Sequence, residues 1–176
     1  NGAENINQVI EESLPELLKT YQVVHQTGKS DYENMKMITD ATLAENGFKH
    51  RYHPFDYLNQ LSMKMMAGVT DLAIARAGSS LFELAHWEIP SIIIPMSKSY
   101  GNHQIKNAYN YARSGACIVI EENNLSDKGL IFEINRIYNS EKDKADMIVG
   151  AQKFAIKDAG RNIAEEIVGI ALAHDK

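Results

Sequence analysis

Leu72-Ala73-Ile74-Ala75-Arg76-Ala77-Gly78-Ser79-Ser80-Leu81-Phe82-Glu83-Leu84 joins a short apolar run to a turn of small residues and then to a stretch of helical period. Four consecutive apolar residues suit a buried parallel strand, and the Ala, Gly and Ser that follow let the chain reverse into a helix over 80–86. The same grammar recurs on both sides. Ser91-Ile92-Ile93-Ile94, Cys117-Ile118-Val119-Ile120 and Tyr21-Gln22-Val23-Val24-His25 read as further strands, with a weaker one at Lys49-His50-Arg51-Tyr52. Apolar residues at helical spacing fill the intervals 4–18, 32–46, 58–67 and 102–113, and in the first of these Ile6, Val9, Ile10, Leu14 and Leu17 share one face. Strands alternating with helices specify an α/β domain built on a buried parallel sheet. After Asn124 the strands stop, and 126–139, 141–156 and 161–173 read as closing helices, the first N-capped by Ser126 and the last preceded by Gly160. A doubly wound sheet opens on a strand, whereas the first element here is a helix behind Asn1-Gly2-Ala3, which reads as the tail of a glycine-rich turn. The expectation is one domain over 1–176 whose preceding strand lies outside this sequence.

Composition bounds the function. Eighteen Lys plus Arg against 23 Asp plus Glu leave a net charge of −5 on 176 residues, and 44% apolar side chains suffice for one core. The resulting pI of about 5.7 lacks the basic stripe that phosphate backbones require, so nucleic acid is not an expected partner. Cys117 is the single cysteine, which excludes an intrachain disulfide, and no Cys/His pair has zinc-ligand spacing. A reducing, cytoplasmic setting fits. The apolar runs fall far short of the roughly 20 residues that cross a bilayer.

Ligands of open parallel sheets bind beyond the carboxyl ends of the strands, which directs attention to three loops. In the turn from Ala77 through Gly78, Ser79 and Ser80 to Leu81, small residues admit a close ligand, and the N–H groups opening the next helix suit a phosphate. Glu83, one turn further, offers a carboxylate to a ribose diol; an ordinary Ser-capped turn with a surface Glu is the alternative. After Pro95, Asn102-His103-Gln104-Ile105-Lys106-Asn107 opens a helix on which Gln104 and Asn107 share a face. Their amides both donate and accept, as sugar hydroxyls require, although Asn102 as a cap with solvated neighbours explains the same residues. In His25-Gln26-Thr27-Gly28-Lys29, Gly28 is free to take a positive φ and Lys29 reads as a loop charge. Cys117 reads as inert core, and Met63, Met65 and Met66 as packing.

Together these loops resemble the carboxyl-terminal half of the MurG glycosyltransferases. The anchors are Gly2-Ala3-Glu4-Asn5-Ile6-Asn7, His25-Gln26-Thr27-Gly28-Lys29, Pro54-Phe55, Arg76-Ala77-Gly78, Glu83-Leu84, Pro90-Ser91-Ile92-Ile93-Ile94-Pro95, His103-Gln104 with Asn107-Ala108, and Asp158-Ala159-Gly160-Arg161-Asn162-Ile163-Ala164. Their order and spacing run nearly end to end. The resemblance implies one Rossmann-like half of a two-domain GT-B glycosyltransferase, which adds N-acetylglucosamine from UDP-N-acetylglucosamine to a lipid-linked muramyl-pentapeptide in bacterial peptidoglycan synthesis. It further implies that Glu83 binds the ribose hydroxyls, that the turn 77–81 meets diphosphate and sugar, and that Gln104 meets the N-acetylglucosamine hydroxyls. His103 and Asn107 would line the same pocket, Phe55 would lie by the uracil, and Gly2 would belong to the glycine-rich turn. Transfer in this family is inverting and independent of metal, so neither metal nor other cofactor is expected.

The resemblance also implies what this sequence lacks. The general base and the membrane-docking patch belong to an amino-terminal acceptor domain, expected from the same gene, so the 176 residues alone should be inactive and the whole protein should sit at the cytoplasmic face of the inner membrane. Two spacings depart from the family: the stretch from Arg76 to Glu83 is one residue shorter, and that from Phe55 to Asp71 a few residues longer. Two alternatives stay open here, a non-catalytic donor-binding subunit of a split glycosyltransferase and a UDP-sugar epimerase of the same architecture.

Overall fold

The structure is a computed structural model that describes residues 4–97, 102–156 and 158–174. Helix α1 (Glu4–Leu17) leads into β1 (Val23–Gln26), α2 (Tyr32–Thr42), β2 (Tyr52–Phe55), α3 (Gln60–Ala67), β3 (Ala73–Ala75), α4 (Ser80–His86), β4 (Ser91–Ile93), α5 (His103–Arg113) and β5 (Cys117–Val119). Helices α6 (Asp127–Tyr138), α7 (Glu141–Phe154) and α8 (Ala159–His174) close the chain. All strand pairing is parallel, as the βαβ alternation demands.

The strands form two ladders among the described residues, β1-β2 and β3-β4-β5. Alternate side chains of the second ladder serve opposite faces, the period of two that a pleated strand imposes. Ile92, Ile94, Ile74, Ile118 and Ile120 join α1 and α6 on one face through Ile10, Leu14, Leu130 and Ile134. Ile93, Ala73, Ala75 and Val119 join α4, α5 and α7 on the other through Leu81, Leu84, Tyr111 and Ala151. Central β4 is buried throughout, whereas β3 is half-buried along its length. Helix α7 crosses the turn before β5 so closely that a Cβ on Gly150 would lie 2.5 Å from the Ala116 nitrogen. A glycine is required there.

The sequence placed these elements to within a few residues, with three corrections. The weak strand at 49–52 is a 3-10 turn over Lys49–Arg51, and the strand proper is Tyr52–Phe55. Pro54 stands inside it because, among the described residues, β2 pairs on one side only, so no ladder bond is lost on the open edge. Helix α2 ends at Thr42 rather than at Asn46, the chain turning at Leu43. Helix α8 starts at Ala159, which places Gly160 inside it, after Asp158 at φ 62°. Met65 is 68% exposed, so of the three methionines only Met63 and Met66 pack. Along α8, Ile163, Ile167, Val168, Ile170 and Leu172 are all exposed. No helix among the described residues is long and apolar enough to cross a membrane.

Candidate functional site

The first turns of α1 bring the carboxyl ends of the two ladders together. Asn5 donates from Nδ2 to Glu122 Oε1 (3.2 Å), just beyond β5, while Asn7 donates from Nδ2 to the Thr27 carbonyl (3.0 Å), just beyond β1. The same Asn7 amide reaches Asp31 Oδ2 at 2.9 Å, which leaves its carbonyl for His25 Nε2 at 3.0 Å. With both Asn7 amide protons committed, Nε2 must be the donor, and Nδ1 accepts from the Tyr52 hydroxyl at 3.0 Å. His25 is therefore held as one neutral tautomer. Burial lowers its pKa to about 4.

This network shapes the loop after β1. Gly28 takes φ +88°, the positive value expected of it, and a Cβ there would meet no atom within 4 Å. Thr27 N–H donates to the Phe55 carbonyl (2.9 Å), so the last residue of β2 is fixed beside that loop and is 40% exposed. Lys29 lies 5.8 Å from the centroid of the exposed Tyr57 ring, as a loop charge resting on an aromatic face.

Beyond β3 the chain turns through Ala77, which is fully buried, and Gly78, where an added Cβ would meet nothing within 4 Å. Leu81 is also buried, so within the turn 77–81 the accessible surface belongs to Gly78, Ser79 and Ser80, and Ala77 and Leu81 are core. Ser79 occupies the N-cap position without a capping bond from its side chain, and Ser80 opens the helix half-buried. Glu83 is exposed on the following turn. Beyond β4, Met96 N–H donates to Gln104 Oε1 (3.0 Å), and Asn107 Nδ2 reaches the Ala77 carbonyl at 3.4 Å. Asn102 takes the N-cap of α5 at φ 54° without a side-chain bond, and His103 follows it, exposed. Asn107 is thus joined directly to the turn 77–81, and Gln104 to the start of the segment beyond β4. Phe55 reaches the same end of the molecule through α1. Gly2 lies outside the described residues.

One participant went unread in the sequence. Glu122 follows β5 in a 3-10 turn, and its carboxylate accepts from Arg76 Nη2 (2.5 Å), Asn5 Nδ2, Ser97 N–H (3.2 Å) and Ser97 Oγ (2.7 Å). Burial pushes its pKa up, but the bonds from Ser97 and Arg76 outweigh that and hold it down to about 2. Arg76 also donates from Nη1 to the Ile94 carbonyl at 3.2 Å. Cys117 is buried and its thiol is pushed up to about 12, which makes it core and no nucleophile.

Residues 1–163 match the model of the glycosyltransferase family 28 C-terminal domain. The chain belongs to this family. The family 28 domain is 37% identical over 168 residues to a Bacillus cereus protein named UDP-N-acetylglucosamine--N-acetylmuramyl-(pentapeptide) pyrophosphoryl-undecaprenol N-acetylglucosamine transferase 2, covering 93% of this chain and 44% of that relative. A Clostridium botulinum protein named for the same transfer is 33% identical over 142 residues, covering 79% of this chain and 37% of the relative. The domain accordingly spans less than half the length of these curated relatives. Among solved structures, Acinetobacter baumannii MurG superposes with a TM-score of 0.76 at 20% identity over 96% of this chain and 49% of that one. The α/β fold of the domain is the fold of half of that molecule.

Proposed function

We propose that this domain is the donor-binding half of an inverting glycosyltransferase that takes UDP-N-acetylglucosamine and passes its sugar to a lipid-linked N-acetylmuramyl-pentapeptide. What carries the reading is that relatives matching along most of this chain are named for that transfer. The geometry agrees with it, because the segments the sequence offered for donor binding are joined at the carboxyl ends of the strands, where open α/β sheets take their ligands. The split-subunit and epimerase alternatives have no observation of this kind in their favour.

In this reading the Glu83 carboxylate accepts hydrogen bonds from both ribose hydroxyls, which only an acceptor with two oxygens does well. The open face at Gly78 admits the diphosphate to the main chain of the turn, where peptide dipoles offset charge building on the departing UDP without a metal ion. Gln104, with His103 and Asn107 beside it, orients the sugar, and Phe55 packs along the uracil. The base that deprotonates the attacking hydroxyl comes from an acceptor domain of the same protein, as does contact with the cytoplasmic face of the membrane. The strand expected before α1 would enter the sheet between β1 and β3, which are unpaired with each other.

Calorimetric titration of the 176-residue chain with UDP-N-acetylglucosamine, UDP-glucose and UDP tests the reading, first without metal and then with magnesium. Saturable, metal-independent binding that favours the N-acetylated sugar is expected. A folded chain that binds none of the three, or that prefers UDP-glucose, contradicts it.

A further inference from the structure

Three neighbouring strand ends and the start of α1 converge on one side chain. Glu122 lies beyond β5, its partner Arg76 beyond β3, its partner Ser97 beyond β4, and its partner Asn5 in the first turn of α1. Arg76 adds a second tie across the same edge through the Ile94 carbonyl. The side chains of Arg76 and Glu122 are only 16% and 11% exposed, so the pair has given up most of its water. Ion pairs so buried add little net stability, because desolvation cancels most of the attraction, yet removing one member strands the other. What such a pair does add is geometry.

Both segments leaving this junction carry residues of the proposed site. Arg76 immediately precedes the 77–81 turn, and Ser97 is adjacent to Met96, whose N–H is bonded to Gln104. We propose that Glu122 is a positioning residue for sugar-nucleotide binding, its carboxylate fixing the β3–α4 turn and the Met96-Ser97 segment beyond β4 at the spacing that a diphosphate-linked sugar requires. The inference rests on the donor-site reading and deepens it. Glu122 itself touches no ligand in this account. It acts through Arg76 and Ser97, and shifts of about an ångström in such supports weaken function by about two orders of magnitude at the extreme.

Two variants and two readouts test the proposal. Glu122→Gln keeps the shape and removes the charge, while Ser97→Ala removes one hydroxyl from an exposed residue and leaves the fold no reason to fail. Hydrogen exchange at the Met96 and Ser97 amides reports the junction without any ligand, and calorimetry reports affinity for UDP-N-acetylglucosamine and for UDP. The expected result for Glu122→Gln is faster exchange at both amides with about 10-fold or greater loss of UDP-N-acetylglucosamine affinity. Ser97→Ala should show the same two changes at a few-fold. The loss should be greater for the sugar nucleotide than for UDP, a split that general destabilisation would not produce. Faster exchange with unchanged affinity in both variants overturns the positioning role, and so does unchanged exchange. If the unaltered chain binds no UDP-sugar at all, the donor-site reading fails first, and the exchange rates still decide whether Glu122 holds the two loops.

Discussion

The two ladders secure their carboxyl ends by opposite chemistry. Beyond β1 and β2 the bolt is neutral: a buried His25 wired to Asn7 and Tyr52 as a single tautomer. Beyond β3, β4 and β5 it is charged: Glu122 gathering Arg76 and Ser97. Helix α1 reaches into both, through Asn7 and Asn5. A neutral network is rigid because each group has one role, and it fails when a proton is added. A charged network tolerates protons until its acid titrates.

Acid should separate the two halves most clearly. His25 has a folded pKa of about 4 against 6.5 when unfolded, so the unfolded chain binds a proton that the native chain refuses. The stability it contributes is complete above pH 6.5 and is lost as pH falls toward 4, by up to about 3 kcal/mol. Glu122 contributes above pH 4.5 and loses its share only as pH falls from there toward 2. Denaturant melts between pH 7 and pH 4.5 should therefore show a falling stability that His25→Gln flattens and Glu122→Gln does not. Identical pH slopes for His25→Gln and the unaltered chain would break the comparison.

Ligand binding sharpens it. Glu83→Ala should weaken UDP-sugar binding by about 1.5–3 kcal/mol, the worth of hydrogen bonds to a charged group, or about 10- to 150-fold in calorimetry. Unchanged affinity would remove Glu83 from the site. Gln104→Ala should have the smallest effect, about 0.5–1.5 kcal/mol on UDP-N-acetylglucosamine with UDP nearly untouched, because in the proposed site the amide meets the sugar and not the UDP. Equal losses for both ligands would contradict that placement.

Much of this was legible in the residues. Runs such as Ser91-Ile92-Ile93-Ile94 leave a buried strand little alternative, and the alternation of short apolar runs with helical spacing fixed the parallel α/β class. Strand β2 was harder, because Tyr52-His53-Pro54-Phe55 has neither an apolar run nor clean alternation, and Pro54 reads as a stop unless the strand is known to lie at an edge. The candidate site divided in the same way. Glu83, Gln104 and Asn107 lie near the starts of the helices that follow strands the pattern marks, whereas Glu122 is 46 residues from Arg76 and 25 from Ser97, and no periodicity connects them. The partners of His25 were hidden for the same reason, Asn7 being 18 residues before it and Tyr52 27 after. Local pattern specifies elements, while polar networks are properties of the packed chain.

The central claim is one of place: the carboxyl ends of the strands receive a sugar nucleotide. Amide chemical-shift mapping of the 176-residue chain titrated with UDP-N-acetylglucosamine tests it most directly. The account predicts the largest shifts at residues 77–83, at Gln104 and Asn107, and at Phe55, with little change in the hollow at the opposite end of the sheet lined by Asp71, Trp87, Glu141 and Lys144. Shifts concentrated in that hollow, or shifts that spare the turn after β3, would contradict it.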